Sequence, residues 1–285
     1  MTSIMKYIKA FFRIHYELMR APLNALERSR FNRVGLLIRN LKSLLKGKYH
    51  RFGYASELEC FYIEEKGERY YFSNLVRGIN LYSEGLSVRR DEIVSSYFID
   101  QIDFAPGDIV IDCGANYGDL WLYLKTQINE NTYIPFEPGI EEYKALSLNA
   151  PKSLKNNLGL GYENNKKKFF VNNKDADSSF IQPSEYSDII YVETMRLDDF
   201  VKQNNIGEIK LFKCEAEGFE PEVFNGVGSI LDQIHYIAVD GGYERGFKKE
   251  ETFSHQTNLL IAQGFSMVAI NFQLGRALFR NKKYI

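Results

Sequence analysis

The chain has 285 residues, 45% hydrophobic and 26% charged, a composition that excludes a disordered or low-complexity protein and is enough for an ordinary core. A formal net charge of −1 excludes a whole-chain bias toward nucleic acid, and three cysteines, Cys60, Cys113 and Cys214, are too few and too scattered for a disulfide framework or a zinc site. No apolar run approaches the roughly 18 residues that span a bilayer, and the first residues lack the apolar core of a signal peptide, so the sequence predicts a cytoplasmic protein.

Local charge is less even. Residues 1–51 carry twelve Lys and Arg against only Glu17 and Glu27. Ile4, Ile8, Phe12 and later Val34, Leu37, Ile38, Leu41, Leu44 and Leu45 recur at helical spacing, which predicts two basic amphipathic helices interrupted near Ala21-Pro22. Amphipathicity leaves the apolar partner open. It could be an anionic membrane surface, giving peripheral contact at the inner face of a membrane, or the body of the protein, or a second subunit met through residues 1–48. From Phe52 to Phe104 aromatic and polar residues alternate, with turns at Gly67 and Gly78, and the pattern predicts a small antiparallel sheet followed by a helix over 91–99. The expected division is therefore a basic helical segment (1–51), a small α+β cap (52–104) and a main domain (105–285).

Pro106-Gly107-Asp108 turns into Ile109-Val110-Ile111, a β-branched run that reads as a doubly buried strand. It ends in Asp112-Cys113-Gly114-Ala115-Asn116-Tyr117-Gly118, after which a helix is expected over 117–125. Glycines let a ligand approach the main chain, and an acidic residue in place of the first glycine of a dinucleotide turn suits a ligand with an ammonium or sulfonium group, such as S-adenosylmethionine. Tyr133–Phe136 reads as the next strand. It closes in Glu137-Pro138, where a carboxylate is placed to accept ribose hydroxyls. A helix over 141–149 and a strand around Leu158–Leu160 follow. Asn164–Lys168 reads as a hairpin tip, and Asp175–Ser179, including Ser178, as a polar loop open to adenine-edge or substrate contacts. Further strands are expected at Ile189–Met195, Ile209–Cys214, Ile234–Val239, Phe265–Phe272 and Ala277–Arg280, with helices opening at Arg196, after Glu220-Pro221 and over 252–263. Strands alternating with helices predict an open α/β sheet with its chemistry at the carboxyl edge, at Asp112, Glu137, Glu215 and Asp240.

With these residues in view the chain resembles the FkbM-like family of S-adenosylmethionine-dependent methyltransferases. The resemblance runs from about Pro106 to Phe272. It rests on Pro106–Gly118, on Phe136-Glu137-Pro138 with Leu146 and Asn149 after it, on Arg196-Leu197-Asp198-Asp199-Phe200, and on Lys213–Glu220. It implies a Rossmann-like class I methyltransferase sheet, mostly parallel with an antiparallel last strand. It also implies cofactor contacts from Asp112, Gly114, Asn116, Gly118, Glu137 and Pro138, and methylation of a hydroxyl on a sugar, glycan or related natural product. The family's strand before the Glu-Gly pair usually ends in Asp, where this chain has Glu215, and Asp240 stands where Glu is more usual.

Methyl transfer to a hydroxyl needs the acceptor aligned and its proton removed, and Glu215, Glu217, Asp240 and His255 are the candidate groups. No metal is called for. Two rival readings are a methyltransferase fold kept as a non-catalytic binding or assembly module, and a nicotinamide-dependent oxidoreductase. The latter requires a Gly-x-Gly-x-x-Gly turn that the sequence does not have.

Overall fold

The computed structural model describes residues 33–172 and 178–284. The first predicted amphipathic helix and the Asp175–Asp177 part of the polar loop lie outside the described residues. The chain forms two compact units, Met1–Leu86 and Ser87–Ile285. The division falls within the expected cap, so the helix predicted over 91–99 groups with the large sheet and not with the small one.

In the first unit a helix, α1 (Arg33–Leu45), precedes an antiparallel meander of β1 (Arg51–Ala55), β2 (Cys60–Glu65) and β3 (Glu68–Phe72), followed by α2 (Leu75–Tyr82). Lys66 and Gly67 join β2 to β3, both at positive φ (54° and 85°), the conformation that matches a two-residue hairpin to strand twist. Phe52, Ile63, Tyr70 and Phe72 form the buried face of the sheet with Tyr82 of α2. Asn74 caps α2 by accepting the Arg77 N–H at 3.1 Å. The helix α1 meets this sheet through polar groups. Asn40 exchanges both its amide functions with the Phe52 backbone (2.8 and 2.7 Å), Ser43 lies 3.5 Å from His50, and Arg39 sits over the Phe52 ring.

The second unit begins with α3 (Leu86–Tyr97) and is built on a six-stranded sheet of order β11-β12-β10-β9-β4-β5. These strands are β4 (Val110–Cys113), β5 (Tyr133–Phe136), β9 (Ile209–Cys214), β10 (Ile234–Asp240), β11 (Phe265–Asn271) and β12 (Arg276–Asn281). Only β12 runs against its neighbours, inserted between β10 and β11. Both faces are covered, as a parallel sheet requires. Val110, Leu211 and Ala238 face a cluster with α3, α4 (Trp121–Leu124) and α5 (Ile140–Asn149). Ile111, Phe212 and Ile237 face another with α6 (Leu197–Gln203), α7 (Glu220–Val227) and α8 (Phe253–Ala262). This is the sheet that the resemblance implies, mostly parallel with the antiparallel strand last in the chain.

Several local expectations change. The helix predicted over 117–125 is α-helical only at Trp121–Leu124, because Asn116 and Gly118 adopt positive φ (52° and 89°) and the chain climbs through i→i+3 turns before it. Leu158–Leu160 shortens to β6 (Gly159–Leu160), which pairs with β8 (Asp188–Met195) in a separate three-stranded sheet with β7 (Asn165–Val171). The lysines at 166–168 are therefore ladder residues opposite Glu193, Val192 and Tyr191, not a hairpin tip. The helix after Glu220 stops at Gly228 (φ 53°) and continues as a 3-10 turn to Gln233. Among the described residues no helix is long and apolar enough to cross a membrane.

Candidate active site

Strands β10, β9, β4 and β5 lie side by side, and their carboxyl ends bring Asp240, Glu215, Asp112 and Glu137 to one edge. In the register Lys213 stands opposite Asp112. Its Nζ is 3.1 Å from Asp112 Oδ1 and 2.8 Å from Glu215 Oε2, and it donates to the Gly114 carbonyl at 3.0 Å. The ammonium thus lies in a buried position between two carboxylates, with main-chain carbonyls as its hydrogen-bond acceptors. Arg276, at the start of β12, donates from Nε to Asp240 Oδ2 (2.6 Å), from Nη2 to Glu215 Oε1 (3.0 Å) and from Nη1 to Ser96 Oγ (3.1 Å). Its guanidinium carbon lies 4.4 Å from the Tyr97 ring centroid, and the Tyr97 hydroxyl donates to Asp240 Oδ2 at 3.3 Å. The result is one chain of alternating charge: Asp112, Lys213, Glu215, Arg276, Asp240.

This alternation sets the protonation states. Burial opposes ionisation of Glu215, but Lys213 and Arg276 outweigh it and hold the carboxyl down at about 2. Burial likewise opposes the charge on Lys213, yet Asp112 and Glu215 raise its pKa above the ordinary lysine value. Asp112 itself is raised, by burial, even though Lys213 and the Tyr133 hydroxyl (2.7 Å to Oδ2) favour its charge. Asp240 is also raised, by burial and by the neighbouring Glu215. One further carboxyl joins the group. Glu244 lies beyond β10, and burial together with Asp240 and Glu215 pushes it up to about 8, while the residue as a whole keeps an exposed surface. Gly242 separates the two acids: a Cβ there would lie 3.3 Å from Asp240 Oδ1 and 3.7 Å from Glu244 Oε1.

The glycine turn is fixed by main-chain bonds. Gly114 and Ala115 both donate to the Phe136 carbonyl at 3.0 Å, tying the turn to the end of β5. Gly114 has φ 71°, and a Cβ would stand 1.9 Å from the Glu215 carbonyl oxygen, so no other residue fits. Glu137 accepts the Asn116 N–H on Oε2 and the Gly139 N–H on Oε1, each at 2.7 Å. Pro138 continues this loop, its carbonyl 3.3 Å from the Asn157 amide.

The loop after β9 serves a different purpose. Glu217 turns the chain at φ 49°, and its carbonyl accepts the Ser179 hydroxyl at 2.7 Å. Glu220 is buried at the start of α7, where it accepts from the Ala216 and Gly218 N–H groups (2.8 and 3.2 Å) and from the Thr252 hydroxyl (3.0 Å). Ser178 accepts the Asn172 N–H at 2.9 Å, which fixes the described end of the polar loop. His255 is an exposed residue of α8.

Comparison with known proteins decides what this edge belongs to. The profile of the Methyltransferase FkbM domain matches residues 112–267, from the carboxylate that opens the glycine turn to β11. The chain belongs to the FkbM methyltransferase family. A curated fungal relative, Methyltransferase 1 from Beauveria bassiana (strain ARSEF 2860), is 22% identical over 201 residues, 62% of this chain and 79% of that protein. Among solved structures, an rRNA methylase from Streptococcus thermophilus is similar at 14% identity and TM-score 0.39, over 66% of this chain and 96% of its own. A TehB-like SAM-dependent methyltransferase from Corynebacterium glutamicum is similar at 12% identity and TM-score 0.37, over 69% and 96%.

This FkbM methyltransferase is an S-adenosylmethionine-dependent enzyme, and two features of its edge fit that cofactor. Asn116 Oδ1 is buried without a hydrogen-bond partner, an acceptor suited to an ammonium group. Glu137 is aimed by two main-chain N–H groups at the end of β5, where a carboxylate suits a ribose diol. Asp112 Oδ1, like Asn116 Oδ1, is buried without a hydrogen-bond partner, with the Lys213 ammonium 3.1 Å away, while Tyr133 donates to Oδ2. Of the catalytic candidates, Glu215 and Asp240 are brought together through Arg276, while Glu217 turns the chain after β9 and His255 is exposed on α8. Lys213, Arg276, Tyr97 and Glu244 were not singled out from the sequence. The signal available for Lys213 was a second lysine, after Lys210, near the end of a largely apolar strand and two residues before a glutamate.

Proposed function

We propose that the methyl acceptor is a hydroxyl of a sugar, glycan or related natural product, and that Glu244 removes its proton. The observation that carries this reading is the pair of carboxyls flanking Gly242, one fixed and one accessible. A general base works best when its pKa lies near the working pH, and Glu244, at about 8, meets that condition. Glu215, held ionised near 2 by two cations, is too weak a base; it fixes Arg276 in place. Asp240 is buried and occupied by Arg276 and Tyr97, and it orients the loop by accepting the Gly242 N–H at 3.1 Å.

Ring recognition is supported by the rim. Tyr243 and Phe247 on the loop after β10, and Phe272 and Leu274 on the β11–β12 turn, are exposed. The two loops touch, since a Cβ on Gly275 would lie 3.1 Å from Gly242 Cα. Exposed aromatic side chains at a sheet's ligand edge suit the apolar face of a sugar ring, and nearby carboxylates suit its hydroxyls. S-adenosylmethionine supplies the electrophilic methyl group. The protein's share is to hold Glu137 and Asn116 ready, align the acceptor over Gly242 and take its proton.

The test uses the full chain with methyl-labelled S-adenosylmethionine and parallel panels of saccharides, amines and RNA. Label on a saccharide oxygen is the expected result. Label on nitrogen or on RNA would replace the hydroxyl reading. With an accepted saccharide, Glu244→Gln should lower kcat by about 10²- to 10⁴-fold while calorimetric affinity for S-adenosylhomocysteine stays unchanged. In the unaltered protein kcat should rise with pH through about 8 as the base ionises. A flat profile, or an unaltered kcat in the variant, would remove Glu244 from the chemistry.

A further inference from the structure

The loop that carries Glu244 is closed by main-chain bonds and anchored by the side chain of Arg245. At its base Gly241 donates to the Gly275 carbonyl at 3.0 Å and accepts from the Thr252 and Phe253 N–H groups, each at 3.2 Å. Further out, Arg245 and Glu250 exchange main-chain hydrogen bonds at 3.1 Å, which makes the loop a short hairpin. The Arg245 guanidinium then reaches out of the loop to α7. Nη1 and Nη2 meet the two oxygens of Glu222 at 2.9 and 2.7 Å, a bidentate fork, and Nη1 also donates to the Gly218 carbonyl.

The main chain is fitted to the same contact. Gly218 has φ 88°, and a Cβ there would lie 2.6 Å from Arg245 Cα, so the turn after β9 is a seat that glycine leaves open for the loop. Arg245 is half-buried, and the Glu222 carboxylate raises its pKa above the ordinary arginine value, so the fork stays charged at any working pH.

The anchor reaches Glu244 through the alternation of the chain. In a paired, extended segment successive side chains leave on opposite sides. Arg245 leaves toward Glu222, and Glu244 lies across Gly242 from Asp240. There Asp240 of β10, Glu215 after β9, Glu220 at the start of α7 and Arg276 of β12 act on its charge.

We infer that Arg245 is a positioning residue for methyl transfer: its fork on Glu222 and Gly218 holds the loop so that the Glu244 carboxyl stands at the acceptor. The inference rests on the reading of Glu244 as the base. It gives Glu222 and the Gly218 turn a shared purpose, as the seat of that loop.

The experiment is steady-state kinetics of the full chain with the saccharide that takes label, comparing the unaltered protein with Arg245→Met, Glu222→Gln and Glu244→Gln. Glu222→Gln keeps the shape of the partner and the Gly218 contact, so it reads the fork with the least disturbance of folding. Each of the first two variants should lower kcat by about 10- to 10²-fold, with calorimetric affinity for S-adenosylhomocysteine unchanged, and the double variant should lose no more than the weaker of the two. The midpoint of the kcat–pH profile separates positioning from general loosening. It is expected at about 8 in the unaltered protein. With the loop released, Glu244 gains water and leaves its acidic neighbours, so the midpoint should move down toward the ordinary carboxylate range. An unchanged kcat in both single variants, or a lowered kcat whose midpoint stays at about 8, would overturn the inference and leave Glu244 as the base. Full kcat in Glu244→Gln, or no label on any saccharide, would remove the reading of the base and the inference with it.

Discussion

The carboxyl edge of the large sheet buries charge, whereas the helix at 33–45 exposes hydrocarbon. Both invert the usual arrangement of a soluble protein, and they differ in whether the inversion is completed internally. At the sheet edge every cation has acids to meet: Lys213 engages Asp112, Glu215 and a carbonyl, and Arg276 engages Asp240, Glu215 and Ser96. A satisfied buried network is rigid and costly to disturb, which suits groups that must stand in place before a ligand arrives. On α1 the inward side is bonded to the sheet through Asn40, and the leucines are left exposed. One region closes its charges on itself, and the other leaves hydrocarbon in solvent.

Removing one member of the finished network should have the largest effect. Lys213→Met would leave Asp112 and Glu215 facing each other in a buried site without their shared cation. Urea unfolding should show a loss of about 3–5 kcal/mol, and a loss under 1 kcal/mol would mean that the network is not the tightly closed unit described. A smaller effect is expected at Glu220, whose buried carboxyl has been raised to about 7 from an ordinary value of 4.5. The stability associated with its neutral form is fully present below pH 4.5 and is lost as pH rises through 7. Glu220→Gln removes that loss, so its stability relative to the unaltered protein should improve by roughly 2 kcal/mol between pH 5 and pH 8.5. No difference between the two pH values would show the acid to be ionised throughout. The smallest effect belongs to α1, where Leu41→Gln should change unfolding free energy by no more than about 0.5 kcal/mol. A loss of several kcal/mol would mean that the leucine is packed within the protein, ending the contrast between the two regions.

How much of this could be read in advance depended on distance along the chain. Strands β5 and β9 fall where their β-branched and aromatic runs put them, and Asp112, Glu137, Glu215 and Asp240 stand at strand ends because a parallel sheet delivers its ligand edge there. The partners that set the charge on those acids were out of reach. Arg276 meets Glu215 across 61 positions, and Tyr97 meets Asp240 across 143, separations at which no periodicity signals contact. Short-range errors had local causes. The helix after Gly114 was overextended because the positive φ at Asn116 leaves no mark in hydrophobic spacing. The lysines of β7 read as a turn because charge on the open face of a ladder resembles charge on a loop. On α1 the apolar stripe was plain in the sequence, but its direction was not, since amphipathicity names a face and never its neighbour.

Arg276 comes from β12, the strand that follows all the others of its sheet in the chain. During synthesis on a ribosome, Glu215 and Asp240 emerge before the guanidinium that binds them, and a chain held short of position 276 has two mutually repelling acids at the end of the sheet. The network is therefore complete only once β12 lies between β10 and β11. The charge network of the edge is thus closed by the residue that is last in the chain among its members.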